Sequence, residues 1–284
     1  LRKYRKSGLE GNLLAGDKEE GMKGFLIRFS GELQAHLILS GRYWLESVAT
    51  WLGFIIVFAG LFFGIQLITG VEAISGWGEE AAIRYAVWVL CLTAIVGLPQ
   101  RIQEEAMTGV LEQRFLAPKG GISNLIMSLV AGLLFWMFGT ALVFFAVLFI
   151  ARTPVHFDWG IIPVVLLILI GIEGVGFLLG GLALLFIRIG ALTQLLQMAL
   201  LGLVLLPAER LPGVWHELVQ KLPLAAGLPI LNNLLLNRAT FLEVVSRPDF
   251  WVLLISSLSY LGLGLIGLRR MVGRAKRRGL LGQY

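Results

Sequence analysis

The chain has 284 residues, 57% of them hydrophobic and 15% charged, with a net charge of +6 and a mean hydropathy of +0.82. A soluble domain carries about a quarter charged residues, so this balance excludes an ordinary soluble enzyme and points to a single membrane domain. The surplus positive charge does not indicate nucleic acid, because the basic residues gather at the two chain ends beside apolar runs, where they set topology. Cys91 is the one cysteine, which rules out an internal disulfide and a cysteine-based metal site.

Residues 1–21 are polar and rich in Gly, Lys and Glu, without the apolar core of a signal peptide. They read as a disordered extension, with Met22 as a natural start and the membrane domain over 22–284. From Met22 to Trp44 the pattern changes. Phe25, Phe29, Leu33 and Leu37 recur at helical spacing, with Lys23, Arg28, Glu32 and Arg42 largely elsewhere. This predicts an amphipathic helix at the cytoplasmic interface; an exposed helix packed on its own protein is the alternative.

Six apolar stretches then predict six transmembrane helices in an all-α membrane protein: Ser47–Ile68, Ala82–Leu98, Leu125–Ile150, Ile161–Ile187, Ala191–Leu206 and Phe250–Leu268. The second and fifth are short for a full crossing, and the third is long enough to tilt or break. Basic residues precede the first stretch and follow the last, from Arg269 to Arg278, while only Glu72, Glu79 and Glu80 lie between the first two. Both termini are therefore expected in the cytoplasm. The segment 101–121 falls on the same side, and the connection 207–249 falls outside.

One charged segment separates the second and third stretches: Glu104 to Pro118, reading EEAMTGVLEQRFLAP. Gln100 and Glu104, and Arg101 and Glu105, stand one helical turn apart. Glu105, Thr108 and Glu112 share a face, with Val110, Leu111 and Phe115 as apolar contacts, and Pro118 disfavours helix through Ala117. The expectation is a coupling helix of about three turns held between two spans, or else a solvated connecting loop.

Within the spans Glu173 is the outstanding polar residue, in the middle of the fourth among Ile and Gly. Burying charge in lipid is costly, so it reads either as a pathway residue or as a hydrogen-bonding partner of an adjacent helix. Arg188 reads as a topology anchor. Asn232 and Asn233 read as lining an exit or as capping a turn. Gly176 and Gly180 form a G-x-x-x-G, extended by Gly171, Gly174 and Gly181, which predicts helix packing within the chain or across a dimer. Gly262, Gly264 and Gly267 spell G-x-G-x-x-G, but inside an apolar stretch and without the strand and acidic residue of a dinucleotide site.

The stretch from Glu105 to Pro118 resembles the E-x-G-T-L-E-x-L-x-x-x-P signature of ABC-2 type transporter permease subunits. Gly109, Leu111, Glu112 and Pro118 fall in register, Val110 replaces the usual Thr, and Glu105 is the acid that precedes them. Leu222-Pro223-Leu224 followed by Leu231-Asn232-Asn233 resembles the family's stretch before its last span. The chain departs from the family at Leu205-Leu206-Pro207, where Ser-Gly is usual, and in the arginine after the second motif, for which Arg238 stands nearest.

The resemblance implies a transport subunit rather than an enzyme. It binds no cofactor itself, and ATP and Mg belong to a separate ABC ATP-binding subunit. Coupling to that subunit would fall to Glu104, Glu105, Thr108, Gly109, Leu111, Glu112 and Pro118. A second permease copy or a related permease would complete the pathway in the plasma (inner) membrane, among membrane lipid, for an amphipathic or lipid-like cargo, most simply by export. A P-loop needs a Gly-Lys pair to hold phosphates, and this chain has none. The alternatives are a haem-export-type permease, a membrane enzyme and a non-catalytic scaffold. His36, His156 and His216 are far apart, with no H-E-x-x-H or G-x-S-x-G to serve an enzyme.

Overall fold

The computed structural model describes residues 29–38, 40–69, 77–116, 121–152, 156–186, 189–205, 213–237 and 239–279. Residues 1–21, Phe25, Pro118, Arg188, Leu206, Pro207 and Arg238 lie outside the described residues. A helical segment over 29–42, described except at residue 39, is α1. It is followed by α2 (Trp44–Thr69), α3 (Trp77–Met107), α4 (Val110–Leu116), α5 (Gly121–Ala151) and α6 (Ile161–Leu185). The remaining helices are α7 (Gly190–Leu205), α8 (Val214–Gln220), α9 (Pro223–Leu235), α10 (Phe241–Ser246) and α11 (Pro248–Arg277). Among the described residues there is no strand, and five helices (α2, α3, α5, α6 and α11) are long and apolar enough to cross a membrane.

α6 is the centre of the bundle and packs against α11, α3 and α9. In hydrocarbon, helices gain nothing by hiding apolar surface from one another, so association depends on close fit. The glycines of α6 provide that fit. Gly176 and Gly180 meet Ala94 and Leu98 of α3, so this G-x-x-x-G packs within the chain. Gly174 lies against the backbone of Tyr260 and of Gly264 on α11, and Gly181 against Met271. In both interfaces the partner's numbering rises along α6, so α3, α6 and α11 run parallel. The G-x-G-x-x-G lies inside the continuous helix α11, with Gly264 in this crossing and Gly267 against Leu178.

Three expectations are corrected. The second stretch is not short: α3 has 31 residues, about 46 Å, and continues through Pro99 into the charged segment. The coupling segment is consequently not one helix. Residues 101–107 finish α3, a turn at Thr108 and Gly109 follows, and α4 has seven residues. Gly109 has φ +71°, in the left-handed region that glycine enters at no steric cost. Glu105, buried, and Glu112, exposed, therefore do not share a face.

The third correction concerns the connection 207–249, expected to lie outside: its helix α9 packs into the bundle. Pro223 at the start of α9 lies against Gly171 near the middle of α6, and Gly227 lies against Ile168. The Leu235 carbonyl then accepts the His156 N–H at 2.9 Å just beyond α5. α9 thus runs antiparallel to the first half of α6, with Leu224, Leu228, Leu231 and Leu234 in the core. Thr240 and Glu243 form a capping box that opens α10.

The α6–α11 crossing yields a test. A methyl group at Gly264 meets the Gly174 carbonyl, which cannot move without shifting a helix, whereas one at Gly262 meets nothing within 4 Å. Gly264→Ala is expected to cost at least about 1–3 kcal/mol and lower the Tm and the monodisperse yield in detergent. Gly262→Ala is expected to leave both unchanged.

Candidate functional site

The polar atoms of the bundle collect on one stripe of α3. Thr93, Gly97, Gln100, Arg101, Glu104 and Glu105 recur every three or four residues and so share a helix face. That stripe borders a cleft of about 390 Å³, whose other walls are α1, α5 and α6. From Thr93 to Glu105 it runs about 18 Å, from the midpoint of the apolar part of α3 toward the turn before α4.

Arg101 organises the outer half of the cleft. Its Nε donates to Glu105 Oε1 at 3.1 Å, its Nη2 to Glu32 Oε2 at 3.1 Å, and its Nη1 to His36 Nε2 at 2.8 Å. Glu32 and His36 belong to α1, so a single guanidinium fastens α1 to α3. An arginine can only donate, which makes Nε2 of His36 an acceptor and places the ring proton on Nδ1. The ring also has a hydrogen bond to the backbone of Ser128 on α5. Gly132 of α5 lies close beside the same ring, and a Cβ there would stand 3.2 Å from His36 Cε1.

This arrangement alters the expected face of α1. Glu32 and His36 turn inward, and Leu37 and Ile38 are exposed. A compensated charge gains more from the partly buried Arg101 than an apolar side chain gains in a groove already lined by polar groups.

At the inner end lies Glu173, midway along α6. The residue is 5% exposed and lines the cleft, and among the described residues neither side-chain oxygen has a hydrogen-bond partner. Trp136 of α5 forms the opposite apolar wall and meets Trp51 of α2 edge-on, with centroids 4.7 Å apart.

The other residues singled out from the sequence fall into three places. Glu104 lines the mouth, where it accepts from Gln100 Nε2 at 3.1 Å; the Thr108 hydroxyl donates to the Glu104 carbonyl at 2.9 Å. Gly109 forms the turn, Leu111 anchors α4 in the core and Glu112 is exposed. Asn232 and Asn233 stand near the end of α9, away from Glu173. Asn233 accepts from Asn237 at 2.8 Å, and the Asn232 side-chain oxygen is buried without a partner among the described residues. Thr93, Arg101, Glu32, His36 and Trp136 were not recognised as a group. The stripe of small and polar residues on α3 is the sequence signal that marks them.

No protein-family model, curated protein or solved structure matches this chain. Among the described residues no three His, Cys, Asp or Glu side chains gather to hold a metal ion. The arrangement can hold a charged or polar group midway through the bundle, and it can join α1, α3 and α5 through one arginine.

The His36 contact is sensitive to pH. Burial first, and the Arg101 charge second, lower its pKa from the usual 6.5, against the opposing pull of the Ser128 bond and of Glu32. A lowered folded value means the docked state binds fewer protons than the undocked state below 6.5. The contribution to docking is complete above 6.5 and is lost as the pH falls through the lowered value. Relative to its intrinsic chemical rate, hydrogen–deuterium exchange over residues 29–42 is expected to accelerate as the pH falls below 6.5. In His36→Gln, whose amide can still accept from Arg101, exchange over that range is expected to follow only the intrinsic chemical rate.

Proposed function

We propose that this chain is the membrane-spanning permease subunit of an ABC-2 type transporter, driven by ATP hydrolysis on a separate subunit. The observation that carries the reading is the form taken by the signature-like segment. Leu111 is buried in the core, while Glu104, Met107, Thr108, Gly109, Val110, Glu112 and Gln113 are exposed together at one end of the bundle. Met107 is 76% exposed, with the exposed acids Glu104 and Glu112 near it in the segment. An apolar side chain within an acidic rim suits a protein partner better than water or lipid.

The anchoring of the segment suits a coupling role. α4 packs on α3 and α5, and the Phe115 ring lies 5.2 Å from Lys276 Nζ of α11. A push on the turn is thereby felt by α3, by α5 and by the last helix. The free energy would come from the differential affinity of ATP for two states of the partner.

A sixth crossing is part of the proposal, assigned to α7. Its 16 residues reach about 24 Å. Arg84, near the start of α3, donates to the Val204 carbonyl at the far end of α7 at 3.4 Å. A sixth crossing would account for α6 ending on the α4 side while the Leu235 end of α9 lies beside His156. With six crossings, and with Arg269 to Arg278 following the last, both termini and α4 would be cytoplasmic. The cargo proposed is amphipathic and moves outward.

The test is capture of a partner from the native host in mild detergent, followed by an ATPase assay. The intact chain is expected to bring down a Walker A protein. Met107→Ala with Glu112→Ala is expected to reduce capture and ATPase stimulation by about tenfold, the loss of one central contact pair, with membrane insertion intact. Equal capture by the double variant would remove the turn as the docking site, and absence of any ATPase with the intact chain would remove the transporter reading.

A further inference from the structure

We infer that the cleft between α1, α3, α5 and α6 is a binding site for an amphipathic organic cation, with Glu173 as its counter-charge. Glu173 lies at mid-depth on the wall of the cleft, with both oxygens buried and, among the described residues, without a hydrogen-bond partner. A bare carboxylate at that depth is among the most costly groups a membrane protein can carry. Hydrocarbon offers it nothing, and no described side chain donates to it. The neighbouring guanidinium is already engaged: Arg101 is committed to Glu32, His36 and Glu105. A visiting cation is the group that completes this carboxylate.

The charge of the cleft agrees. Glu104, Glu105 and Glu173 line it against the single charge of Arg101, and Glu32 adds a further negative charge behind that arginine. His36, which accepts from Arg101, contributes none. Thr93, Gln100 and Ser128 add neutral polar groups, and Leu129, Leu133 and Trp136 of α5 form an apolar wall. An indole face attracts a cation and tolerates an apolar body, and about 390 Å³ suits a small organic molecule rather than a hydrated metal ion. Gly97 leaves the passage open, since a Cβ there would meet nothing within 4 Å. The cleft therefore has a counter-ion, an aromatic wall and space in the same place.

The site belongs to this chain alone, so it can be tested without an ATPase, and loss of the transporter reading would leave it standing. The purified chain in lipid nanodiscs is titrated with radiolabelled tetraphenylphosphonium, with protein-free nanodiscs subtracting uptake by lipid. Tetraphenylborate, the same shape with the opposite charge, is the control. Saturable binding of the cation and not of the anion is expected. Glu173→Gln is expected to weaken binding at least tenfold, and Trp136→Leu severalfold. Gly97→Phe, which keeps Glu173 and fills the open side of the cleft, is expected to abolish saturable binding, and it decides the matter if Glu173→Gln expresses poorly. Absence of saturable cation binding by the intact chain, equal binding of the anion, or unchanged affinity in Glu173→Gln or Gly97→Phe would each overturn the assignment.

Discussion

Close backbone approach along α6 is the constraint on which the rest of the bundle depends. Lipid tails are as apolar as leucine, so helices in a membrane gain from one another mainly through fit and hydrogen bonds. Five glycines of α6 divide the neighbours among themselves: Gly171 receives Pro223 of α9, Gly174 and Gly181 receive α11, and Gly176 and Gly180 receive α3. At Gly171, Gly174, Gly180 and Gly181 an added Cβ would collide with the partner, and at Gly176 it would stand 3.1 Å from the Ala94 carbonyl. Glu173 occupies the same stretch, and the glycines on either side of it fix the rotation of α6. With those faces committed to α9, α11 and α3, the side chain at 173 is left facing the cleft.

The second determinant is the satisfaction of charge. In the low-dielectric interior an ion without partners is expensive, and one arginine with three acceptors is compact enough to be tolerated. Arg101 meets that condition only if α1 lies against α3 and presents Glu32 and His36. The position of the N-terminal helix is thus set by a side chain in the second crossing helix, more than by its own apolar pattern. The outer half of the cleft is compensated and ordered. The inner half, at Glu173, is not.

How much of this was legible in the chain depends on the range of the interaction. Long apolar runs declare themselves because each carries its own length and composition, and the five helices α2, α3, α5, α6 and α11 coincide with five of them. The pairs Gln100–Glu104 and Arg101–Glu105 are local and follow from a helical turn. Features that depend on distant segments were hidden. The Arg101–Glu32 pair spans 69 residues of sequence, and nothing near either residue announces the other. α9 resembled part of a connecting loop because 13 residues with two prolines are too few to cross and are interrupted. Packing against Gly171 and Ile168 makes it a core helix all the same. The second predicted stretch stops at Leu98, just before Pro99; a proline removes one hydrogen bond and crowds the turn before it, yet the paired side chains that follow, and burial on α6, carry the helix to Met107.

The continuity of α3 has a mechanical consequence. Thr93 and Gly97 at the inner cleft, Arg101 and Glu105 at its ordered half, and Met107 at the exposed turn all lie on one uninterrupted helix. A helix transmits a tilt or rotation along its length, because its hydrogen bonds run parallel to its axis. Glycine at 109 frees α4 from α3 in direction, while Leu111 and Phe115 keep it seated against the core. Displacement of the turn would therefore rotate α3 rather than fold away at the joint. The first interactions to change would be those of Arg101, two turns back, with α1. A group bound beside Thr93 and Gly97 and a partner at Met107 would then act on the middle and the end of one helix, and the Arg101 contacts between them would register both.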